Sequence, residues 1–161
     1  MITGILVFNL WGTIQSAGQT PPGITTQFDP VTWIDHSYDR DLIQFLEEND
    51  TNRGYSNYWV SYPLAFLSHE KIIFVPKLPY HEDFRYTDRD NRYSPYNQLV
   101  DQADRIAFIT TNHPELDERL EARLDGLGIS WNEAWIGDYH VYYEISTTIT
   151  PEELGIYDLA E

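Results

Sequence analysis

The fold of this chain is decided by GYSNYWVSYPLAFLSHEKIIFVP, residues 54–76. Residues 55–60 are aromatic and β-prone, and residues 63–67 are apolar and begin with a proline that suits a first helical turn. Residues 71–75 form a second β-prone run, which Pro76 closes. Two strands joined by a short helical segment are typical of a βαβ unit with parallel strands. The stretch therefore predicts part of an open parallel sheet.

The side chains of this unit are predicted to form core scaffold. Only its outer end, residues 59–62, is expected to reach an edge of the sheet where a ligand would bind. The periodicity of the stretch predicts that five of its side chains are buried: Tyr58, Phe66, Leu67, Ile72 and Phe74.

The remaining segments alternate between helix and strand. Helices are predicted over residues 41–48 (with Asp39 as the cap), after Ser94-Pro95, over 114–125 and after the capping box that begins at Thr150. Strands are predicted over residues 105–110, 129–136 and 139–146. The last two strands flank Gly137-Asp138, which predicts a hairpin. This order predicts an α/β three-layer sandwich with a mostly parallel sheet and a C-terminal antiparallel hairpin at its edge.

Composition limits the function classes. The chain has 161 residues, a formal net charge of −16 and no cysteine. The length suits one domain with a core of its own. The negative field repels nucleic acid, so no nucleic-acid partner is expected. The lack of cysteine excludes disulfides, thiolate metal sites and cysteine nucleophiles.

The first 28 residues carry no charged side chain. Their apolar part is shorter than the roughly 20 residues that span a bilayer. It is either a signal peptide without a basic start, a buried first element, or the outer end of a transmembrane helix with Trp11 at headgroup level. No Lys or Arg occurs before Arg40, which favours a non-cytoplasmic location for the rest of the chain. We expect residues 1–16 to be the end of a transmembrane helix or a hydrophobic N-terminal segment, 17–38 a linker, and 39–161 a single α/β domain.

The long loop of residues 77–93, KLPYHEDFRYTDRDNRY, is the candidate binding segment. Loops of this length in a compact domain are commonly functional. Ligands of open parallel sheets gather at the carboxyl ends of the strands, where the loop would meet residues 59–62 and 111–113. Arginine forks bind phosphate oxygens, and aromatic rings stack on sugars. The candidate residues for a sugar or phosphate are Trp59, Tyr62, Tyr80, His81, Glu82, Asp83, Arg85, Tyr86, Arg89, Arg92 and His113. The alternative is internal Arg–Asp pairing that pins the loop to the domain.

Other chemistries have little support in the sequence. His81, Glu82 and Asp83 are adjacent and so cannot all face one ion from a regular element. The remaining histidines are scattered and are expected at the surface or at helix caps: His36, His69, His113 and His140. The chain lacks a G-x-S-x-G elbow and a glycine-rich phosphate loop. No catalytic residue, metal or cofactor is therefore predicted, although a small hydrolase using His81 and Glu82 stays open.

Several stretches together carry a resemblance to a known family: LVFNLWGTIQ, PPGITTQFDP, LIQFLEENDTNRGYSNYWVSYPLAFLS, RYTDRDNRYSPYNQLV, and DYHVYYEIS followed by PEELG. In these the chain resembles the C-terminal extracytoplasmic domain of prokaryotic multi-pass membrane proteins of the glycosyltransferase C superfamily. Those proteins are similar to dolichyl-phosphate-mannose–protein mannosyltransferases. The most characteristic part of the pattern lies between Gly54 and Leu67.

The resemblance implies that a parent protein transfers a sugar from a polyprenyl-phosphate donor outside the cytoplasm. The catalytic acids of such proteins lie in an early external loop that this stretch does not include, so no catalytic residue is carried over. The chain would be a non-catalytic accessory domain that contacts the transmembrane portion of the parent and shapes acceptor or partner access, with Met1 inside the last helix. The alternative is a stand-alone or membrane-tethered glycan-binding module that uses residues 77–93, and a small hydrolase is the second alternative.

Overall fold

The computed structural model describes residues 2–19, 30–81 and 83–157. Three short 3-10 turns accompany the helices and strands, at Pro30–Thr32, His36–Tyr38 and Asp88–Asp90. The helices and strands, in chain order, are α1 (Ile2–Gln19), α2 (Asp39–Glu48), β1 (Arg53–Ser56), α3 (Tyr58–Leu67), β2 (Ile73–Pro76), α4 (Pro95–Asp101), β3 (Ala107–Thr111), α5 (Pro114–Gly126), β4 (Asn132–Ile136) and β5 (Tyr139–Tyr143).

The five strands form one mixed sheet in the order β2-β1-β3-β5-β4. Strand β1 pairs in parallel with β2 and β3, which confirms the predicted βαβ unit. Strand β5 is antiparallel to both β3 and β4, so the C-terminal hairpin lies at the edge as predicted. The sheet is mixed rather than mostly parallel, because the second hairpin strand enters between β3 and β4. The tight turn at Gly137, with φ of 57°, permits this reversal.

Helix α3 begins earlier than the sequence predicts. The side-chain oxygen of Asn57 accepts hydrogen bonds from the backbone N–H groups of Trp59 (2.9 Å) and Val60 (3.2 Å). This N-cap starts the helix at Tyr58, so the predicted strand over 55–60 ends at Ser56 instead, and the predicted helix start at Pro63 is wrong. The strong capping preference of Asn outweighs the β propensity of the aromatic residues that come after it.

The earlier start changes which side chains of the unit are buried. Ile72 and Phe74 are fully buried, as predicted. Tyr58 is only half-buried. Phe66 is 80% exposed and Leu67 is 44% exposed, so their predicted burial is wrong. Phe66 and Leu67, at the end of α3, face solvent and not the sheet.

Two hydrophobic clusters form the core. One includes Phe108 of β3 together with Leu120 of α5, and the other includes Ile109 of β3 together with Leu42 of α2 and Val60 of α3. Neighbouring residues of a strand point to opposite faces of the sheet. The described helices α2 to α5 thus contribute to clusters on both faces.

Strands β1 and β3 approach each other closely at Gly54. A Cβ atom on Gly54 would lie 2.0 Å from the carbonyl oxygen of Ala107, nearer than real Cβ atoms come to any neighbour. The absence of a side chain therefore permits the pairing of Gly54 with Ala107 at the centre of the sheet.

The structure differs from the sequence prediction in residues 31–34 and in residues 151–157. Val31 and Ile34 are buried in the core, so packing begins before residue 39. The capping box at Thr150 forms both of its hydrogen bonds with Glu153, but residues 151–157 are turns and not the predicted helix. Among the described residues, no helix has both the length and the apolar character needed to cross a membrane.

Candidate functional site

The loop of residues 77–93 crosses the carboxyl ends of the parallel strands. The backbone N–H of Leu78 donates to the carbonyl of Ser56, the last residue of β1, at 2.9 Å. Nε2 of His113, just after β3, lies 3.2 Å from the carbonyl oxygen of His81. The geometry therefore brings the loop to the edge where the sequence places a candidate site.

Tyr62 of α3 holds the far half of the loop. Its hydroxyl donates to the carbonyl of Asp90 at 3.0 Å and accepts from the backbone N–H of Arg92 at 2.7 Å. The guanidinium of Arg92 lies over the ring of Tyr58, 4.8 Å from its centroid. Two predicted site residues, Tyr62 and Arg92, thus meet each other, and their contacts fasten the loop to α3.

Trp59 and Tyr80 form a second contact between α3 and the loop. Their rings are 6.4 Å apart in an edge-to-face arrangement. The indole Nε1 of Trp59 is buried and has no hydrogen-bond partner among the described residues. Burial, followed by a hydrogen bond to Asp90, raises the pKa of Tyr80 to about 12, so this hydroxyl is neutral near pH 7.

The middle of the loop holds a small exposed polar group. Nε of Arg85 is 3.7 Å from a carboxylate oxygen of Asp83, and its Nη2 is 3.4 Å from Nδ1 of His81. Arg89 is exposed at the surface. Glu82, also predicted as a site residue, lies outside the described residues. In the described part of the loop, the Arg–Asp pairing expected to pin it is limited to this one exposed pair, and tyrosine contacts fasten the loop instead.

Tyr86 and His113 are engaged in packing. The ring of Tyr86 stacks on Tyr157 at 5.0 Å, and burial raises the pKa of Tyr86 to about 12. His113 is 1% exposed and packs against the ring of Phe84 at 5.1 Å. Its Nδ1 is 3.4 Å from a carboxylate oxygen of Glu115 without hydrogen-bond geometry. His113 is therefore enclosed by the protein, whereas Tyr86 is half-buried against Tyr157.

A second polar site lies between α5 and the β4–β5 hairpin, centred on His140. His140 is 3% exposed, although the sequence places it at the surface or at a cap. Its Nδ1 is 3.3 Å from Oδ2 of Asp117 and 3.0 Å from the hydroxyl of Tyr142. Its Nε2 is 3.3 Å from Oε2 of Glu133. Both ring nitrogens therefore face acidic or hydroxyl oxygens.

Glu121 completes this site, which we call the His140 cluster (Asp117, Glu121, Glu133, His140 and Tyr142). The hydroxyl of Tyr142 donates to Oε1 of Glu121 at 3.0 Å. Glu121, Glu133 and His140 each offer one potential ligand atom, and these three atoms lie within 4.8 Å of one another. Burial, followed by the charges of Asp117 and Glu121, raises the pKa of Tyr142, so its hydroxyl stays a neutral donor.

Two further side chains frame the His140 cluster. The hydroxyl of Thr110 on β3 donates to Oδ1 of Asp117. The indole of Trp135 stacks on the imidazole of His140 with the centroids 3.8 Å apart and the planes at 16°. Trp135 is 62% exposed, so it covers one face of the imidazole from the solvent side.

The sequence contains only faint signals of this cluster. Asp117 and Glu121 are four residues apart, which places them on one face of α5. His140 and Tyr142 alternate on β5 and share a face of the sheet. These two pairs of residues come together only because α5 packs on the hairpin. Neither segment alone predicts that long-range contact.

Comparisons of the chain with protein-family models, with curated proteins and with solved structures found no match. The functional proposals therefore rest on the residues themselves: the exposed helix α1, the loop at the carboxyl edge, and the His140 cluster between α5 and the hairpin.

Proposed function

We propose that the chain is a non-catalytic extracytoplasmic accessory domain of a membrane glycosyltransferase that uses a polyprenyl-phosphate sugar donor. In this proposal α1 holds the domain at the membrane, next to the transmembrane portion of the parent protein, and the loop of residues 77–93 shapes acceptor or partner access. The resemblance of the sequence supports the enzyme class. The observation that carries the attachment is the exposure of α1.

Apolar side chains cover α1 on every side. Ile5, Leu6, Phe8, Trp11 and Ile14 are all more than half exposed. At 3.6 residues per turn, these positions are spread around the whole helix and not along one stripe. A helix that is hydrophobic all round is typical of one surrounded by apolar groups. Lipid and neighbouring helices of a parent protein supply such surroundings, and Trp11 suits the headgroup level.

The charge of the rest of the chain favours attachment through α1 alone. The net charge is −16, and all of the charged residues come after position 28. Anionic headgroups repel an acidic domain, so its surface supplies no electrostatic attraction to the bilayer. The hydrophobic contact of α1 then has to supply the binding free energy.

A finer account of the fold belongs to the same proposal. We infer a three-layer arrangement in which helices flank both faces of the sheet. The two hydrophobic clusters support it, because residues of α4 and α5 join one cluster and residues of α2 join the other.

Flotation with vesicles of neutral phosphatidylcholine tests the attachment. We expect the full chain to float with the vesicles and a Leu6→Glu, Phe8→Glu double variant to stay in the aqueous fraction. Phe66→Glu is the matched control, since Phe66 is an equally exposed apolar residue on α3. Equal flotation of all three proteins, or none by the wild type, would contradict the proposal.

The glycosyltransferase part has a separate test. The DNA upstream of Met1 is expected to continue the reading frame and to encode several hydrophobic helices. An in-frame stop codon close upstream would overturn the link to a larger membrane enzyme, whatever the flotation result.

A second candidate function is glycan binding by the loop itself. The exposed side chains of Arg85 and Arg89 on the loop favour it. A glycan array probed with the wild type and with an Arg85→Ala, Arg89→Ala variant tests it, because neither arginine is buried. Binding that is lost in the variant supports this function, and no binding by the wild type leaves the loop with a structural role.

A further inference from the structure

We propose that the His140 cluster binds one divalent ion of the first transition row, with Zn²⁺ as the reference ion, through the imidazole of His140 and the carboxylates of Glu121 and Glu133. None of these ligands belongs to α1 or to the loop of residues 77–93. The inference is therefore independent of membrane attachment and of glycan binding.

The set of ligands selects the class of ion. One imidazole nitrogen with two carboxylates is a mixed nitrogen and oxygen set, which suits Zn²⁺ and its first-row neighbours. Ca²⁺ and Mg²⁺ prefer oxygen ligands alone. Three protein ligands leave a further coordination position for water, as in sites where the ion remains accessible.

The distances are compatible with closure around an ion. Ligand atoms about 2.1 Å from a tetrahedral Zn²⁺ lie roughly 3.4 Å from one another. Nε2 of His140 and Oε2 of Glu133 are already 3.3 Å apart. The three ligand atoms lie within 4.8 Å of one another, so the widest gap has to shrink. The side chain of Glu133 is 54% exposed and is free to rotate toward the ion without movement of the backbone.

The surroundings of the imidazole are the strongest argument for a cation. Each ring nitrogen of His140 lies 3.3 Å from a carboxylate oxygen, of Asp117 on one side and of Glu133 on the other. A cation bound at Nε2 would accept the lone pair of that nitrogen and attract the carboxylate of Glu133 at the same time.

The Nδ1 side of the His140 ring faces groups that would fix the orientation of the ring when Nε2 binds an ion. A histidine that binds a metal commonly donates its second N–H to a carboxylate, which fixes the ring. Oδ2 of Asp117 lies 3.3 Å from Nδ1, whose hydrogen-bond partner is the hydroxyl of Tyr142 at 3.0 Å. Thr110 donates to the other oxygen of Asp117 and so holds that carboxylate beside the ring. Asp117 is therefore a positioning residue in this proposal.

The charge balance points the same way. Asp117, Glu121 and Glu133 bring three carboxylates to one imidazole. Among the described residues, no Lys or Arg side chain forms a hydrogen bond or ion pair with these three. Carboxylates this close to one another repel, and a divalent cation lowers that repulsion.

Isothermal titration of the full chain with ZnCl₂ at pH 7, after treatment with a chelator and desalting, tests the proposal. We expect one ion per chain, and binding that millimolar Mg²⁺ or Ca²⁺ does not displace. Asp117→Asn is expected to weaken Zn²⁺ binding about 10- to 100-fold. Glu121→Gln and Glu133→Gln are expected to weaken it at least as much.

Glu118→Gln is the matched control. Glu118 lies on α5, is exposed and does not belong to the cluster, and its substitution changes the net charge by the same amount. Its affinity for Zn²⁺ is expected to stay within twofold of the wild type. Equal weakening in Glu118→Gln and Glu133→Gln would show non-specific binding to an acidic surface and would overturn the site.

Two spectroscopic readouts separate a metal site from a merely structural polar cluster. Co²⁺ is expected to give the intense visible absorption of a tetrahedral site in the wild type and to lose it in Glu133→Gln. Nuclear magnetic resonance of the imidazole nitrogens is expected to show Nε2 shifting when Zn²⁺ is added. Imidazole nitrogen resonances of His140 that do not respond to Zn²⁺ would overturn the proposal.

Discussion

Substitution of Gly54 by alanine is expected to destabilise the domain severely. The new methyl carbon would lie 2.0 Å from the carbonyl oxygen of Ala107 and 2.8 Å from two further backbone atoms of that residue. Contacts of Cβ atoms under 3.0 Å essentially never occur, so β1 and β3 would have to separate by about 1 Å. The obstructing atoms are backbone, which no rotamer change can move.

The separation would occur where β1 and β3 pair over only two residues each. Only Gly54 with Ala107 and Tyr55 with Phe108 are in register between these strands. The buried rings of Tyr55 and Phe108, stacked at 5.7 Å, would be disturbed by the same movement. Overpacking in a close-packed core costs about 1–3 kcal/mol and at times more, so we expect a loss of about 2–4 kcal/mol.

Urea unfolding followed by tryptophan fluorescence measures this loss. The midpoint is expected to fall with an unchanged slope, and the melting temperature to fall by about 2–4 °C for each kcal/mol. Gly126→Ala is the control, because a Cβ atom there meets nothing within 4 Å. A Gly54→Ala variant within about 0.5 kcal/mol of the wild type would refute the reasoning, provided that Gly126→Ala is also well folded.

Three further predictions test contacts described above. Tyr62→Phe removes a hydroxyl that both donates to and accepts from the loop. Urea unfolding should show an unfolding free energy lower by about 1–2 kcal/mol, and amide exchange in residues 85–92 should accelerate. Unchanged exchange would contradict the role of Tyr62 in holding the loop. The hydrogen bond to Asp39 raises the pKa of His36 against the opposing effect of burial. The stabilisation that protonated His36 contributes is therefore present below about pH 6.5 and is lost as pH rises through the folded-state pKa. His36→Gln should reduce the decrease of the unfolding free energy between about pH 6 and 8. Phe66→Ala should change stability by less than about 0.5 kcal/mol and Phe74→Ala should cost about 3–5 kcal/mol in the same assay, and similar values for the two would contradict the burial described here.

Features set by short segments of sequence were predictable. Thr150 and Glu153 form the reciprocal hydrogen bonds that their spacing predicts, at 2.9 and 3.2 Å. The hairpin around Gly137 and the burial of Phe74 also agree with local pattern. Each of these depends on a few neighbouring residues, whose preferences are expressed without help from distant parts of the chain.

The errors arise where one local preference competes with another. Asn57 begins α3 with its cap, whereas the aromatic residues after it favour a strand. Each helical residue turns the chain by about 100°, so the side chains of α3 point in several directions, and Phe66 lies on the side that faces solvent.

The His140 cluster was unpredictable for a different reason. Its carboxylates come from α5 and β4, and its imidazole comes from β5. The sequence places Asp117 in the first turn of a helix, where a negative charge is favourable without any partner. The loop at the carboxyl edge was predictable, because the topology rule for parallel strands places it there, but the role of Tyr62 in fastening it depends on tertiary packing.

The two outer strands of the sheet differ in their capacity to accept another strand. Strand β2 is buried along its whole length, whereas β4 exposes Asn132, Glu133 and Trp135. Self-association by strand addition is therefore directed to β4, where the charge of Glu133 and the short length of the strand oppose it. If Glu133 binds a cation as proposed, the ion neutralises that charge, and aggregation of the protein becomes sensitive to the metal content of its surroundings.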